Sequence, residues 1–382
     1  MRVAVFTNAY KPAVSGVVTS IDLFRQGLWA AGHEAHIFAP EYEAYDDEEA
    51  YVFRLPALDL TEQLNVSIVL PFKNLIDLTM HGIRPDVIHS QHPVWMGDLA
   101  ASFARDLERP LVFTFHTQYE QYAQFYSPVA AKLAERLTED RLRRYLEQCA
   151  HIIAPTESVR RMLESRFDLH DMVTVIPTPV DLKHFQSAPA GEIRQKYGLH
   201  GKELLLFVGR IAKEKNLGLL FKAFARVRAQ RPAAHLMLVG KGPFEAQAQE
   251  LVRKLGVEDA VTFAGGVPHA QIPAYYRDAD LFVFSSTSET QGLVLVESMA
   301  AGTPVVAVEA PGSSDILSGG GRLTAPDSAG LAEGMLAVLS AAGEMERLAR
   351  EAIGIAERYS IAGATERMLA VYDRVLTSAG FA

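Results

Sequence analysis

Two carboxylates and two cations of this chain stand in short polar loops that follow apolar runs. The stretch Ser285–Pro304, S-S-T-S-E-T-Q-G-L-V-L-V-E-S-M-A-A-G-T-P, comes after Ala279–Phe284, which reads as a buried strand. From Leu293 the apolar positions suit a helix, and Gly302 with Pro304 ends it. A helix N-terminus carries unpaired N–H groups and partial positive charge, which suits a phosphate. Glu289 lies in the loop and Glu297 about one turn into the helix. Carboxylates accept hydrogen bonds from paired hydroxyls, so the pattern predicts a sugar attached to that phosphate. Glu289 would hold the transferred sugar and Glu297 the ribose of a sugar nucleotide. Taken alone, two such acids are as readily a solvated loop residue and an exposed helix residue.

A second stretch, G-R-I-A-K-E-K-N at Gly209–Asn216, follows the apolar run L-L-L-F-V. Arg210 through its planar fork and Lys215 as a point charge can meet one diphosphate. Beside a helix N-terminus they would stabilise it as a leaving group. An ordinary basic loop capped by Asn216 is the competing reading. A third, T-N-A-Y-K-P-A-V-S-G at Thr7–Gly16, puts a glycine at a helix start, where backbone can approach a phosphate or simply turn. It lacks the G-x-G-x-x-G spacing of a dinucleotide site. A fourth, T-F-H-T-Q-Y-E-Q-Y at Thr114–Tyr122, places His116 as the last residue of a strand beside Tyr119, Tyr122, Phe125 and Tyr126. Core packing and an acceptor platform both fit that cluster. There is no G-x-S-x-G, P-loop or H-E-x-x-H, and the histidines show no metal spacing. Glu289 and Glu297 come from one segment, poorly placed to flank a glycosidic bond as a hydrolase pair.

The elements that must position these residues alternate. Strands are expected at Val3–Thr7, Ala35–Ala39, Val52–Leu55, Val87–Ser90, Leu111–His116, Ile152–Pro155 and Val173–Pro177. Helices are expected at Val17–Ala31, Met96–Leu107, Pro128–Cys149 and Val159–Ser165, with Val66–His81 helical about a break at Pro71. Ile176–Phe185, with two prolines, reads as an extended linker. Strands then resume at Leu204–Val208, His235–Val239, Val261–Ala264, Leu281–Phe284 and Val305–Val308, with helices between them and a wholly helical C-terminus from Ala329. Such alternation predicts α/β architecture: two doubly wound parallel sheets, covered on both faces and facing across a cleft. Ligands of such sheets bind at strand C-terminal ends.

Composition narrows the class. The 382 residues suit two domains, expected at 1–180 and 181–360, with 361–382 completing the first. A net charge of −9 argues against a general nucleic-acid binder. The single Cys149 fits a reducing compartment and excludes an intrachain disulfide. Met1 leads directly into R-V-A-V-F, without a signal-peptide pattern, and no apolar run approaches the ~20 residues that span a bilayer. The expectation is a cytoplasmic protein, at most peripheral on the inner face of a membrane.

Together, G-R-I-A-K-E-K-N, the E-x(7)-E of Glu289 and Glu297, the S-G loop and His116 resemble the retaining nucleotide-sugar glycosyltransferases of family 4, with the GT-B fold. The resemblance covers nearly the whole chain. It implies a final helix that crosses back to the first domain. It implies that Gly16, Gly209, Arg210 and Lys215 hold the diphosphate and that Glu289 binds sugar hydroxyls. Thr290, Gln291, Gly292 and Leu293 would complete the donor site, with Glu297 at the ribose, Val267 near the base and His116 near the reaction centre. No metal and no cofactor is implied beyond the UDP-sugar substrate. S-G-V-V-T-S-I, F-H-T-Q-Y-E-Q-Y, I-P-T and S-E-T-Q-G-L-V resemble the branch that glycosylates diacylglycerol. Ser15 stands where many members have a second glycine, and Gln291 where they have Phe; both choices also occur in that branch.

The resemblance therefore implies an α-retaining hexosyltransferase using UDP-glucose or UDP-galactose, with diacylglycerol or its monoglycosyl form as acceptor. Thr117, Tyr119 and Tyr122 would contact the acceptor. A front-face reaction needs no protein nucleophile, and the domains would close about residues 177–185 and 358–362. Alternatives are a mannosyl- or other hexosyltransferase with a different acceptor, an epimerase, and a sugar-nucleotide-binding protein without turnover. For membrane contact the sequence offers L-N-V-S-I-V-L-P-F at Leu64–Phe72, then Lys73, and the basic residues Lys132, Arg136, Arg141, Arg143 and Arg144. Glu135, Glu139, Asp140 and Glu147 offset these charges, so a solvated helix face fits as well.

Overall fold

The computed structural model describes residues 1–43, 45, 47, 49–60, 66–69, 73–116, 131–317, 319–341 and 343–378; side chains at 58–60, 66–69 and 131–138 are not described. The chain forms two compact units, Met1–Pro179 with Ile361–Ala382, and Val180–Ser360.

In the first unit, β1 (Arg2–Phe6), β2 (Glu34–Pro40), β3 (Val52–Leu55), β4 (Ala57–Leu60), β5 (Val66–Val69), β6 (Val87–Ser90), β7 (Leu111–Thr114), β8 (His151–Ala154) and β9 (Val173–Val175) follow in sequence. Seven of them make one parallel sheet in the order β3-β2-β1-β6-β7-β8-β9. Alternate residues of β1 feed opposite faces, as the period of two requires. Val3 and Val5 pack with Val18, Ile21, Met368 and Val371. Ala4 and Phe6 pack with Met96, Leu99, Phe103 and Leu142. The C-terminal helix Ile361–Ser378 thus belongs to the first unit. It lies so close to the Gly16–Ala30 helix that a Cβ on Gly27 would collide with Thr365.

In the second unit, β10 (Glu203–Val208), β11 (Ala234–Val239), β12 (Val261–Gly265), β13 (Leu281–Phe284), β14 (Val305–Val308) and β15 (Gly321–Thr324) form a parallel sheet in the order β12-β11-β10-β13-β14-β15. Leu204, Leu206 and Val208 face one core and Leu205 and Phe207 the other. In each sheet the strand order reverses beside the first strand of the unit, between β1 and β6 and between β10 and β13. These are the topological switch points, where an open α/β sheet leaves a crevice for ligand.

Four sequence expectations are corrected. Val66–Val69 is not helical: V-S-I-V pairs antiparallel with β4, and the helix starts only at Asn74. A short β-branched run before a proline suits a hairpin strand. His116 is not the last residue of a strand, since β7 ends at Thr114. The extended linker stops at Val180, because Asp181 accepts from the His184 N–H (3.2 Å) and caps a one-turn helix, Leu182–Gln186. Asn216 does lead into the Leu217–Gln230 helix, but in a left-handed conformation without a side-chain cap.

Candidate active site

In the second unit the loops after β10 and β13 meet at the switch point. Main chain first fixes the floor. Gly209 N–H donates to Val239 O (2.9 Å), Ile211 N–H to Lys241 O (3.0 Å) and Gly240 N–H to Gly265 O (2.8 Å), so three strand-end loops are stitched together. Gly240 has φ +139, and a Cβ there would strike the Gly209 carbonyl. Gly240→Ala is therefore expected to destabilise the fold by about 2–4 kcal/mol, through left-handed strain plus the clash. Its thermal midpoint should fall clearly below that of Gly256→Ala, also at positive φ but facing open space.

On that floor Arg210 is half-buried, and its guanidinium has no hydrogen bond or ion pair among the described residues. Lys215 is held through its backbone, its carbonyl accepting from Ser285 Oγ (2.8 Å). Its ammonium forms an ion pair with Glu289 Oε1. Ser286 Oγ lies 3.0 Å from the same carboxylate oxygen. Burial raises the Glu289 pKa, but the Lys215 charge and the hydrogen bonds from Lys215 and Ser286 outweigh it and hold the carboxyl below its ordinary range. The loop is shaped from behind as well, since a Cβ on Gly312 would collide with the Glu289 carbonyl. Thr290 and Gln291 continue that loop to Gly292, which, at φ +75, starts the Leu293–Ala300 helix with no side-chain cap and no acid in its first turn.

Glu297 is buried rather than exposed, at 6 %. The Tyr276 hydroxyl donates to its Oε2 (2.9 Å), and His269 Nε2 stands 3.9 Å from Oε1. Val267 is half-buried against the core beneath. Glu214 was not singled out from sequence. It is 3 % exposed, and neither carboxylate oxygen has a hydrogen-bond partner among the described residues. Its carbonyl accepts from Ser286 (3.2 Å), tying the Lys215 loop to the Glu289 loop.

The first unit holds the remaining candidates. Ser15 caps the first helix, its Oγ accepting from the Val18 N–H (3.3 Å), and Gly16 opens the helix with free space where a Cβ would be. The loop before it is pinned by Glu49, which meets Tyr10 OH (2.9 Å), Lys11 (2.5 Å) and Arg25. His116 Nε2 donates to Gln91 Oε1 (2.7 Å). Burial, with His92 and His89 nearby, pushes its pKa down to about 3, so it is neutral at pH 7. Thr117, Tyr119 and Tyr122 lie outside the described residues. Of the basic helix residues, Arg141 pairs with Asp98 (2.6 Å), and Arg143 and Arg144 donate to the Arg166 and Asp140 carbonyls. No helix among the described residues is long and apolar enough to cross a membrane.

Two family models match the chain, "Glycosyltransferase Family 4" over residues 14–184 and "Glycosyl transferases group 1" over residues 190–354. An alpha-monoglucosyldiacylglycerol synthase of Streptococcus pneumoniae is 32% identical over 328 residues, covering 83% of this chain and 73% of that protein. One from Acholeplasma laidlawii is 30% identical over 321 residues, 80% of each. Among solved structures, an Anabaena protein crystallised with UDP and glucose superposes with a TM-score of 0.78 at 21% identity, covering 98% of this chain and all of that one.

Proposed function

The chain belongs to glycosyltransferase family 4 and is a glycosyltransferase, and from that premise we propose that it moves a hexose from a UDP-sugar to diacylglycerol or its monoglycosyl form, with retention at the anomeric carbon. The observation that carries the donor half is the constellation at the second switch point. A half-buried Arg210 with no hydrogen bond or ion pair among the described residues, the Lys215–Glu289 pair and the buried Glu297 offer cations to a diphosphate and carboxylates to hydroxyls. The acceptor half rests on the two synthases, whose names state a glucosylated diacylglycerol.

In this reading the second unit binds the donor and the first the acceptor. Arg210, Lys215 and the Leu293 helix N-terminus meet the diphosphate, with Gly16 and Gly209 giving it backbone access. Lys215 has three N–H bonds, so it can serve a phosphate oxygen without releasing Glu289. Glu289 accepts from the sugar hydroxyls and Glu297 from the ribose. Thr290 and Gln291 shape the sugar side, and Val267 lies by the base. The acceptor hydroxyl attacks C1 on the face the diphosphate leaves. Its proton passes to the departing phosphate oxygen, so one C–O bond forms as another breaks and no protein nucleophile is involved. Neutral His116 sits by the sugar, and Thr117, Tyr119 and Tyr122 by the acceptor. The enzyme works peripherally, at the cytoplasmic face of an anionic membrane.

The test is product formation from a panel of labelled sugar nucleotides, with and without diacylglycerol liposomes. A labelled lipid that needs both liposomes and one UDP-sugar is the expected result, and NMR should show an α-anomer. A β-anomer refutes retention. Donor binding with transfer only to a soluble glycan removes the lipid acceptor and keeps the donor site.

A further inference from the structure

We propose that His92 is a further substrate-contacting residue, its Nε2–H donating a hydrogen bond to an uncharged oxygen of the acceptor's polar head. The inference rests on the reading that the first unit binds the acceptor. Its physical basis is the switch point of the first sheet, where the loops after β1 and β6 emerge side by side.

Those loops are joined through Asn8. Its N–H donates to His92 Nδ1 (3.1 Å), its side-chain amide to Val94 O (3.2 Å), and its Oδ1 accepts from the Met96 N–H (3.2 Å). The His92 carbonyl accepts from Ser90 Oγ (2.7 Å) and lies so close to Gly97 that a Cβ there would collide with it. The ring is therefore held at Nδ1, and the backbone that carries it is held at the carbonyl.

A backbone N–H can only donate, so Nδ1 must accept and the ring proton sits on Nε2. Burial lowers the His92 pKa to about 4, so this neutral tautomer persists across physiological pH. His92 is half-buried, and Nε2 has no hydrogen-bond partner among the described residues. Its neighbours are engaged. His116 Nε2 is on Gln91, and His89 is held between Tyr372 OH (2.7 Å) and Thr114 Oγ1 (2.7 Å). The His92 N–H is thus a fixed, uncharged donor at strand C-terminal ends. An uncharged donor matches a hydroxyl or ester oxygen better than a phosphate, which recruits cations.

Two measurements test this. In ¹⁵N-histidine spectra His92 should carry its proton on Nε2 from pH 5 to 8. An Nδ1–H tautomer, or titration near 6.5, overturns the inference whatever the acceptor proves to be. Kinetically, His92→Phe should raise the acceptor KM about tenfold and leave the donor KM within twofold. His92→Gln, whose amide can accept from Asn8 and still donate, should recover most of the loss. An unchanged acceptor KM, or a rise confined to the donor, refutes the role. If the wild type forms no glycolipid, the proposed lipid acceptor falls, and the same comparison is made on the acceptor that the panel yields.

Discussion

Arg210→Ala is expected to lower kcat by about 10²–10³-fold while leaving the folding transition where it was. Both halves follow from one observation, that the guanidinium is half-buried and makes no bond to the described protein. A side chain that makes no polar bond in the fold costs the fold little more than the packing of its stem when removed. Under the proposed function, what is lost is a preorganised charge aimed where the diphosphate gains negative charge as the sugar departs. Such a group acts more on the transition state than on the bound donor, so the effect should appear in kcat more than in the donor KM. Arg210→Lys should restore part of the rate, because an ammonium supplies the charge but not the two-pronged geometry. Steady-state rates at several donor concentrations, beside thermal midpoints, check this. A kcat within threefold of wild type would remove Arg210 from the leaving-group role.

Most strands of the second sheet were legible because they are short, largely apolar runs bounded by loop residues; Leu281–Phe284 and Val305–Val308, wholly apolar, are found as read. The edge strand G-R-L-T was not, since a strand buried on one side and carrying Gly and Arg lacks that signature. Val66–Val69 was misread because four residues, V-S-I-V, are too few to show a period of their own. The loops that carry Arg210, Lys215 and Glu289 were legible from residue types at strand ends. Which loops share a switch point depends on strand order, and one sequence does not encode that locally. This is why Asn8 and His92, contributed by the loops after β1 and β6, escaped notice while His116 did not. The burial of Glu297 follows from Tyr276, a residue 21 positions away that supplies its proton donor. Glu289 was read as a sugar ligand and Lys215 as a phosphate ligand; their pairing joins segments 74 positions apart and is visible only in three dimensions.

That pairing gives Glu289→Gln an unusual combination of effects. Transfer should fall about 10²-fold, since a neutral amide accepts hydroxyl hydrogen bonds more weakly and no longer fixes Lys215 beside the sugar. UDP alone, which lacks the sugar, should bind as tightly as before or more tightly. Removing the carboxylate leaves the Lys215 bond to phosphate in place and takes a negative charge away from the diphosphate's surroundings. Loss of turnover with retained UDP affinity separates a sugar-side role from general damage to the loop; parallel loss of both would refute the assignment. The pair also has a pH signature. The folded pKa of Glu289 is depressed below 4.5, so the unfolded chain takes up its proton first. The stability this contributes is fully present above the ordinary carboxylate pKa and is lost as pH falls through the folded value. Wild type should therefore be more stable than Glu289→Gln at pH 7, with the gap constant down to about pH 5 and closing below it. A gap that stayed constant down to pH 3 would show that the ion pair does not hold Glu289 ionised, and the sugar-binding carboxylate would then need another source of its charge.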